Sequence, residues 1–69
     1  MIRYKLFALD AAGRIDRGFE HSFHSDPDAI RFAESIEGAA EVEVMRGGNI
    51  IARVRHYRGQ TSIARPIAA

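Results

Sequence analysis

Glu41-Val42-Glu43-Val44-Met45-Arg46-Gly47-Gly48-Asn49-Ile50-Ile51-Ala52-Arg53-Val54-Arg55 reads as a β-hairpin whose two arms select their own register. With Arg46 opposite Ile50 and Gly47-Gly48-Asn49 as the loop, Val44 faces Ala52 and Val42 faces Val54. On the other side Glu43 then meets Arg53 and Glu41 meets Arg55. Opposite charges pair on one face and small or β-branched apolar residues on the other, as cross-strand pairing favours. A slip of one residue sets Glu43 against Ala52 and Val44 against Ile51, and both sets break.

Upstream of this hairpin, residues 2 to 9 alternate. Ile2, Tyr4, Leu6 and Ala8 point one way, and Arg3, Lys5, Phe7 and Leu9 the other. The first set is apolar throughout; the second begins basic and ends apolar. A strand apolar on both faces belongs inside a sheet rather than at its edge. Asp10-Ala11-Ala12-Gly13-Arg14 is a turn, with Asp10 able to bond the backbone two residues on and Gly13 accepting φ > 0. It predicts a three-residue hairpin loop with a glycine bulge. The second strand then runs from Arg14 to about Phe23. Two registers stay open: Leu9 opposite Ile15 with Phe7 opposite Arg17, or a shift that brings Tyr4 opposite Phe19.

His24-Ser25-Asp26-Pro27-Asp28 is a helix start, with Ser25 or Asp26 as cap, proline in the first turn and acids at the positive end of the dipole. The spacing predicts a helix from about Pro27 to Glu37, stopped by Gly38. Ala29, Phe32, Ala33 and Ile36 share one face, with Ile30 at its margin; Asp28, Arg31, Glu34 and Glu37 look outward. After Tyr57 the periodicity stops. The expected organisation is therefore α+β: a single ββαββ domain over residues 1–57, two hairpins in one mostly antiparallel four-stranded sheet, one helix on one face, and a flexible tail over 58–69.

Sixty-nine residues hold one domain at most, and a chain of that length buries only about 60% of its unfolded surface. Without cysteine, neither disulfides nor thiolate metal sites reinforce it. The first residues carry too short and too charged an apolar run for a signal peptide or a membrane span, so the expected setting is the cytoplasm. Net charge is +1, but unevenly spread: residues 1–45 carry five basic and nine acidic residues, residues 46–69 five arginines and no acid. That asymmetry points to an anionic partner, to self-complementarity, or to a basic end facing the acidic half of its own fold.

Two stretches, Tyr4-Lys5-Leu6-Phe7-Ala8-Leu9-Asp10-Ala11-Ala12-Gly13-Arg14-Ile15 and Val42-Glu43-Val44-Met45-Arg46-Gly47-Gly48-Asn49-Ile50-Ile51-Ala52-Arg53, together resemble a class of short uncharacterised bacterial proteins common in alphaproteobacteria. Those proteins open with a YxLxxLDxxGRI-like run, continue through a helix and close with an EVWxGxxxVAR-like run. The likeness spans residues 4 to 54. It departs from the class at Met45, where an aromatic is usual, and in a shorter helix segment. It implies the fold and a bacterial cytoplasmic setting, and it carries no catalytic residue across.

The chemistry-bearing residues mostly have structural employment. His21 and His24 with Asp26 and Asp28 make a histidine–carboxylate cluster of metal-binding type, but residues three apart on a strand point to opposite faces. Solvated histidines at a strand–helix junction are the competing reading, and His56 reads as surface. Asp10 serves a turn, Asp26 and Asp28 a helix start, Glu41 and Glu43 cross-strand pairs; the serines and threonines have no neighbouring base. No cofactor, metal or enzymatic activity is expected. Gly47-Gly48-Asn49 lacks the lysine and helix of a phosphate loop. Arg53, Arg55 and Tyr57 alternate along one arm, and Arg58 and Arg65 follow, a charge-plus-aromatic pattern that suits nucleic acid. Glu41 and Glu43 oppose it, as does a pI near 8.3.

The leading expectation is self-association, or docking on another protein. One short helix covers only one face of a sheet. Phe7, Leu9, Met45 and Ile51 share the uncovered face under the favoured registers, and an apolar patch on a small domain marks an interaction surface.

Overall fold

A computed structural model describes residues 1–57 and 60–64. It holds β1 (Ile2–Leu9), β2 (Ile15–Phe23), α1 (Asp26–Glu34), β3 (Glu41–Arg46), β4 (Asn49–Tyr57) and β5 (Gln60–Ala64). The strands form one antiparallel sheet in the order β2-β1-β3-β4-β5, with α1 on one face. The α+β class and the ββαββ sequence of elements are as expected, with β1 inside the sheet between β2 and β3. The fifth strand is not. Gln60–Ala64, expected to be part of a flexible tail, pairs with β4 from Tyr57↔Gln60 to Arg53↔Ala64.

The helix side of the sheet is the core. Tyr4, Leu6 and Ala8 of β1, Val42 and Val44 of β3, and Ala52 and Val54 of β4 are fully buried beneath Ala29, Ile30, Ala33 and Ile36. Ile30, placed at the margin of the helical stripe, is part of this core. The helix stops at Glu34, earlier than the expected Glu37. Ser35 caps it: its hydroxyl and its amide both donate to the Phe32 carbonyl, at 2.6 and 3.0 Å. Gly38, with φ +80°, belongs to the following turn.

The β3–β4 hairpin keeps the register read from its side chains: Glu41↔Arg55, Val42↔Val54, Glu43↔Arg53 and Val44↔Ala52. Its tip differs. Arg46 pairs with Asn49 rather than Ile50, the loop is Gly47-Gly48 alone, and the pairing skips Ile51. Gly47 and Gly48 have φ of +57° and +83°. That is the two-residue turn whose twist matches that of the strands, and it demands φ > 0 at both positions. The tight turn wins over the three-residue loop, and a bulge at Ile51 absorbs the surplus residue. Gly48→Val is expected to lower stability by about 1–2 kcal/mol, whereas Gly47→Asn, the residue this turn prefers first, leaves it nearly unchanged. Urea unfolding of the two variants checks this; an equal loss for both would contradict the turn assignment.

A second bulge shapes the first hairpin. Asp10 Oδ1 accepts from the amides of Ala12 and Arg14, both at 2.9 Å, as the turn chemistry requires. Leu9 faces Ile15, but the register then shifts past Asp16, so that Ala8 pairs with Arg17, Phe7 with Gly18 and Leu6 with Phe19. Neither open register is right beyond the first pair. The shift sends Arg17 to the helix side, where Nη2 donates to the Glu37 carbonyl at 2.6 Å and the guanidinium lies 5.9 Å from the Phe19 ring centre.

Candidate functional site: the open face of the sheet

The face away from α1 carries alternate residues of each strand: Arg3, Lys5, Phe7 and Leu9 of β1, Gly18 and Glu20 of β2, Glu41, Glu43 and Met45 of β3, and Arg53 and Arg55 of β4. Phe7 and Met45 are half-buried. With Arg3, Lys5, Gly47 and Gly48 they line a depression of ≈ 470 Å³. Gly18 makes room on the other flank of Phe7: a Cβ there would stand 3.7 Å from Cδ1 and Cε1 of the ring. Lys5, Phe7, Gly18 and Glu20 border a second hollow of ≈ 300 Å³. Phe7 is thus open along both sides.

Of the residues expected to share this face, the structure brings together Phe7 and Met45. Leu9 is on it too, opposite Glu41, but only 7% exposed. Ile51 is not with them. The bulge packs it against the helix-side cluster, and Ile50, the partner of Met45, takes its place on the open face. Sequence reasoning missed Ile50 because its side follows from turn length rather than alternation.

Charge on this face is almost wholly paired. Arg53 Nε lies 3.3 Å from Glu43 and Arg55 Nε 3.0 Å from Glu41. Arg3 Nη1 reaches Glu20 at 3.2 Å. Lys5 is the exception: among the described residues it is the one lysine or arginine without an ion pair. Its side chain stands beside Phe7 and Met45 in the larger depression. Arg53 and Arg55, the described part of the expected nucleic-acid stripe, therefore meet their acids within the chain. Arg58, Arg65 and the side chain of Tyr57 lie outside the described residues.

The histidines do not converge. His21 faces α1, its ring 5.0 Å from that of Phe32 and next to Phe19 and Phe23. His24 is exposed at the strand–helix junction. Among the described residues no group of three or more metal-ligating side chains is close enough to hold an ion. His56 is half-buried rather than surface; its Nδ1 is 3.4 Å from Thr61 Oγ1, and among the described residues its buried Nε2 has no hydrogen-bond partner.

At the far end of the helix side, the Tyr4 hydroxyl donates to Asp26 Oδ1 at 2.6 Å, and Arg46 Nη1 donates to both Asp26 oxygens at 2.7 Å. This triad ties the start of α1 to β1 and to the tip of the second hairpin. Burial, and next the hydrogen bond to the Asp26 carboxylate and its charge, push the Tyr4 phenol above its usual value; Arg46 opposes them.

Among the described residues no helix is long and apolar enough to cross a membrane. Comparison with protein-family models, curated proteins and solved structures returns no match.

Proposed function

We propose that this chain is a small non-enzymatic protein-interaction module of the bacterial cytoplasm, and that its contact surface is the open face of the sheet. The observation that carries the reading is the apolar depression of Phe7 and Met45, on the face that α1 does not cover. Its rim is charged and its centre apolar, the anatomy of a protein contact. Photo-crosslinking in cells tests it. With p-benzoylphenylalanine in place of Met45, adducts are expected; in place of Arg31, on the exposed side of α1, none. Adducts from neither site, or from both alike, would overturn the reading.

Single-stranded nucleic acid is the second reading. It is favoured by the outward side of the two ion pairs: the Arg53 and Arg55 side chains are 47% and 64% exposed, their glutamates 21% and 20%. Retention on heparin should then fall steeply with salt and weaken in Arg53→Ala and Arg55→Ala. No retention at low salt removes this reading and leaves the first intact.

A further inference from the structure

We infer that the occupant of the open face is a second copy of the same chain, docked about a two-fold axis that runs along the Phe7–Met45 diagonal; the inference rests on the open-face reading above. In the β1–β3 register Lys5 pairs with Met45 and Phe7 with Glu43. These four residues make a square on the open face, with the two apolar side chains on one diagonal and the two charges on the other. A face-to-face dimer must place its two-fold axis in the plane between the sheets, and four orientations relative to this square are available. An axis along the strands stacks Lys5 on Met45 and Phe7 on Glu43. An axis across them stacks Lys5 on Phe7 and Met45 on Glu43. Both bury Lys5 against apolar surface without a partner, which is costly. An axis along the Lys5–Glu43 diagonal sets each charge on its own copy. The Phe7–Met45 diagonal alone stacks Phe7 on Phe7 and Met45 on Met45, and brings Lys5 of each copy to Glu43 of the other, twice.

The dimensions agree. Neighbouring strands are about 4.8 Å apart and alternate residues about 6.8 Å, so this diagonal runs about 35° from the strands and the two sheets cross at about 70°. That lies near the orthogonal class of sheet packing. Packed sheets are about 10 Å apart, a gap that a lysine and a glutamate side chain span together. Glu43 already pairs with Arg53, and a carboxylate has lone pairs to accept a second cation. Lys5, the described cation without an ion pair, would gain one. The same operation carries the partner's Ile50 over the hollow between Arg3, Met45 and the Gly47-Gly48 turn, an apolar knob for an apolar depression. The molecule measures 32 × 25 × 19 Å, so its broad face offers the order of area that one side of a standard interface buries, about 800 Å².

Sedimentation equilibrium tests the arrangement. The unaltered chain should form dimers. Lys5→Glu and Glu43→Lys each place two like-charge pairs in the homodimer and should raise its dissociation constant at least about tenfold. Mixed in equal amounts, the two variants should recover a dimer, because the heterodimer holds Glu against Lys at one contact and Lys against Glu at the other. An intrachain role for either residue cannot produce this rescue. Glu43→Lys also sets a cation beside Arg53, so Glu43→Gln, with circular dichroism to confirm folding, serves as the milder variant; it should weaken the dimer, and mixing it with Lys5→Glu should recover it only in part, because that heterodimer holds one Lys–Glu contact and one neutral Gln–Glu contact. If Phe7→Lys dissociates the dimer but the mixture stays monomeric, the diagonal axis is wrong. A monomeric mass for the unaltered chain at every concentration overturns the second copy as occupant. Crosslinks from position 45 to a different protein would then leave the open-face reading standing.

Discussion

Leu6→Ala is expected to leave the chain largely unfolded at 25 °C. Leu6 is fully buried, sits on β1 between Phe19 of β2 and Val44 of β3, and belongs to the cluster beneath α1. Truncating a buried leucine costs about 2–5 kcal/mol, from lost transfer energy and the cavity left behind. A cysteine-free domain of this size has only about 3–5 kcal/mol to lose. Leu6→Met, which keeps the volume, should cost less than about 1.5 kcal/mol. Ile15→Ala, at a side chain 64% exposed, should stay within about 0.5 kcal/mol. Urea unfolding followed by circular dichroism ranks the three. A cooperative Leu6→Ala transition close to that of the unaltered chain would contradict the core described above.

Asp26→Ala should be the next most damaging change. It strips the acceptor from the buried Tyr4 hydroxyl and leaves Arg46 without its carboxylate. A hydrogen bond to a charged group contributes about 1.5–3 kcal/mol, and most of that should be lost. The Asp26–Arg46 pair adds less, because its side chains are 35% and 46% exposed. Tyr4→Phe removes donor and desolvation together and should cost less than Asp26→Ala; combining the two should be far from additive. The pH dependence carries a second signature. Burial and Asp26 raise the Tyr4 phenol above its unfolded value, so the folded chain holds this proton more tightly. That contribution is fully present below the unfolded value, about pH 10, and is lost as pH rises through the raised folded value. Tyr4→Phe should flatten this alkaline loss. An unchanged alkaline slope in the variant would show that another group causes it.

The fold was largely legible because alternation and turn chemistry are local. Tyr4, Leu6 and Ala8 form one face by period alone, and the four outer pairs of the second hairpin were set by charge and shape matching together. β5 escaped because Gln60-Thr61-Ser62-Ile63-Ala64 has no apolar period. The open-face site was legible in part. Phe7 and Met45 were placed by parity. Ile50 and Ile51 exchanged roles, because a bulge reverses the alternation of everything beyond it.

By itself the sequence determined that Tyr4, Leu6, Ala8, Val42, Val44, Ala52 and Val54 go inside, that turns follow Leu9 and Arg46, and that one short helix leaves a sheet face uncovered. Each of these follows from neighbours a few positions apart, whose preferences no distant contact reverses. The tertiary structure alone decided the two bulges, the addition of β5 and the Tyr4–Asp26–Arg46 triad. A bulge is a compromise between a turn that wants a given length and a ladder that wants a given register. Its outcome depends on the sheet as a whole. Asp26 looked like a helix-start residue; it became a buried tyrosine's partner because the strand order brings residues 4, 26 and 46 to one corner, a proximity that chain separation conceals.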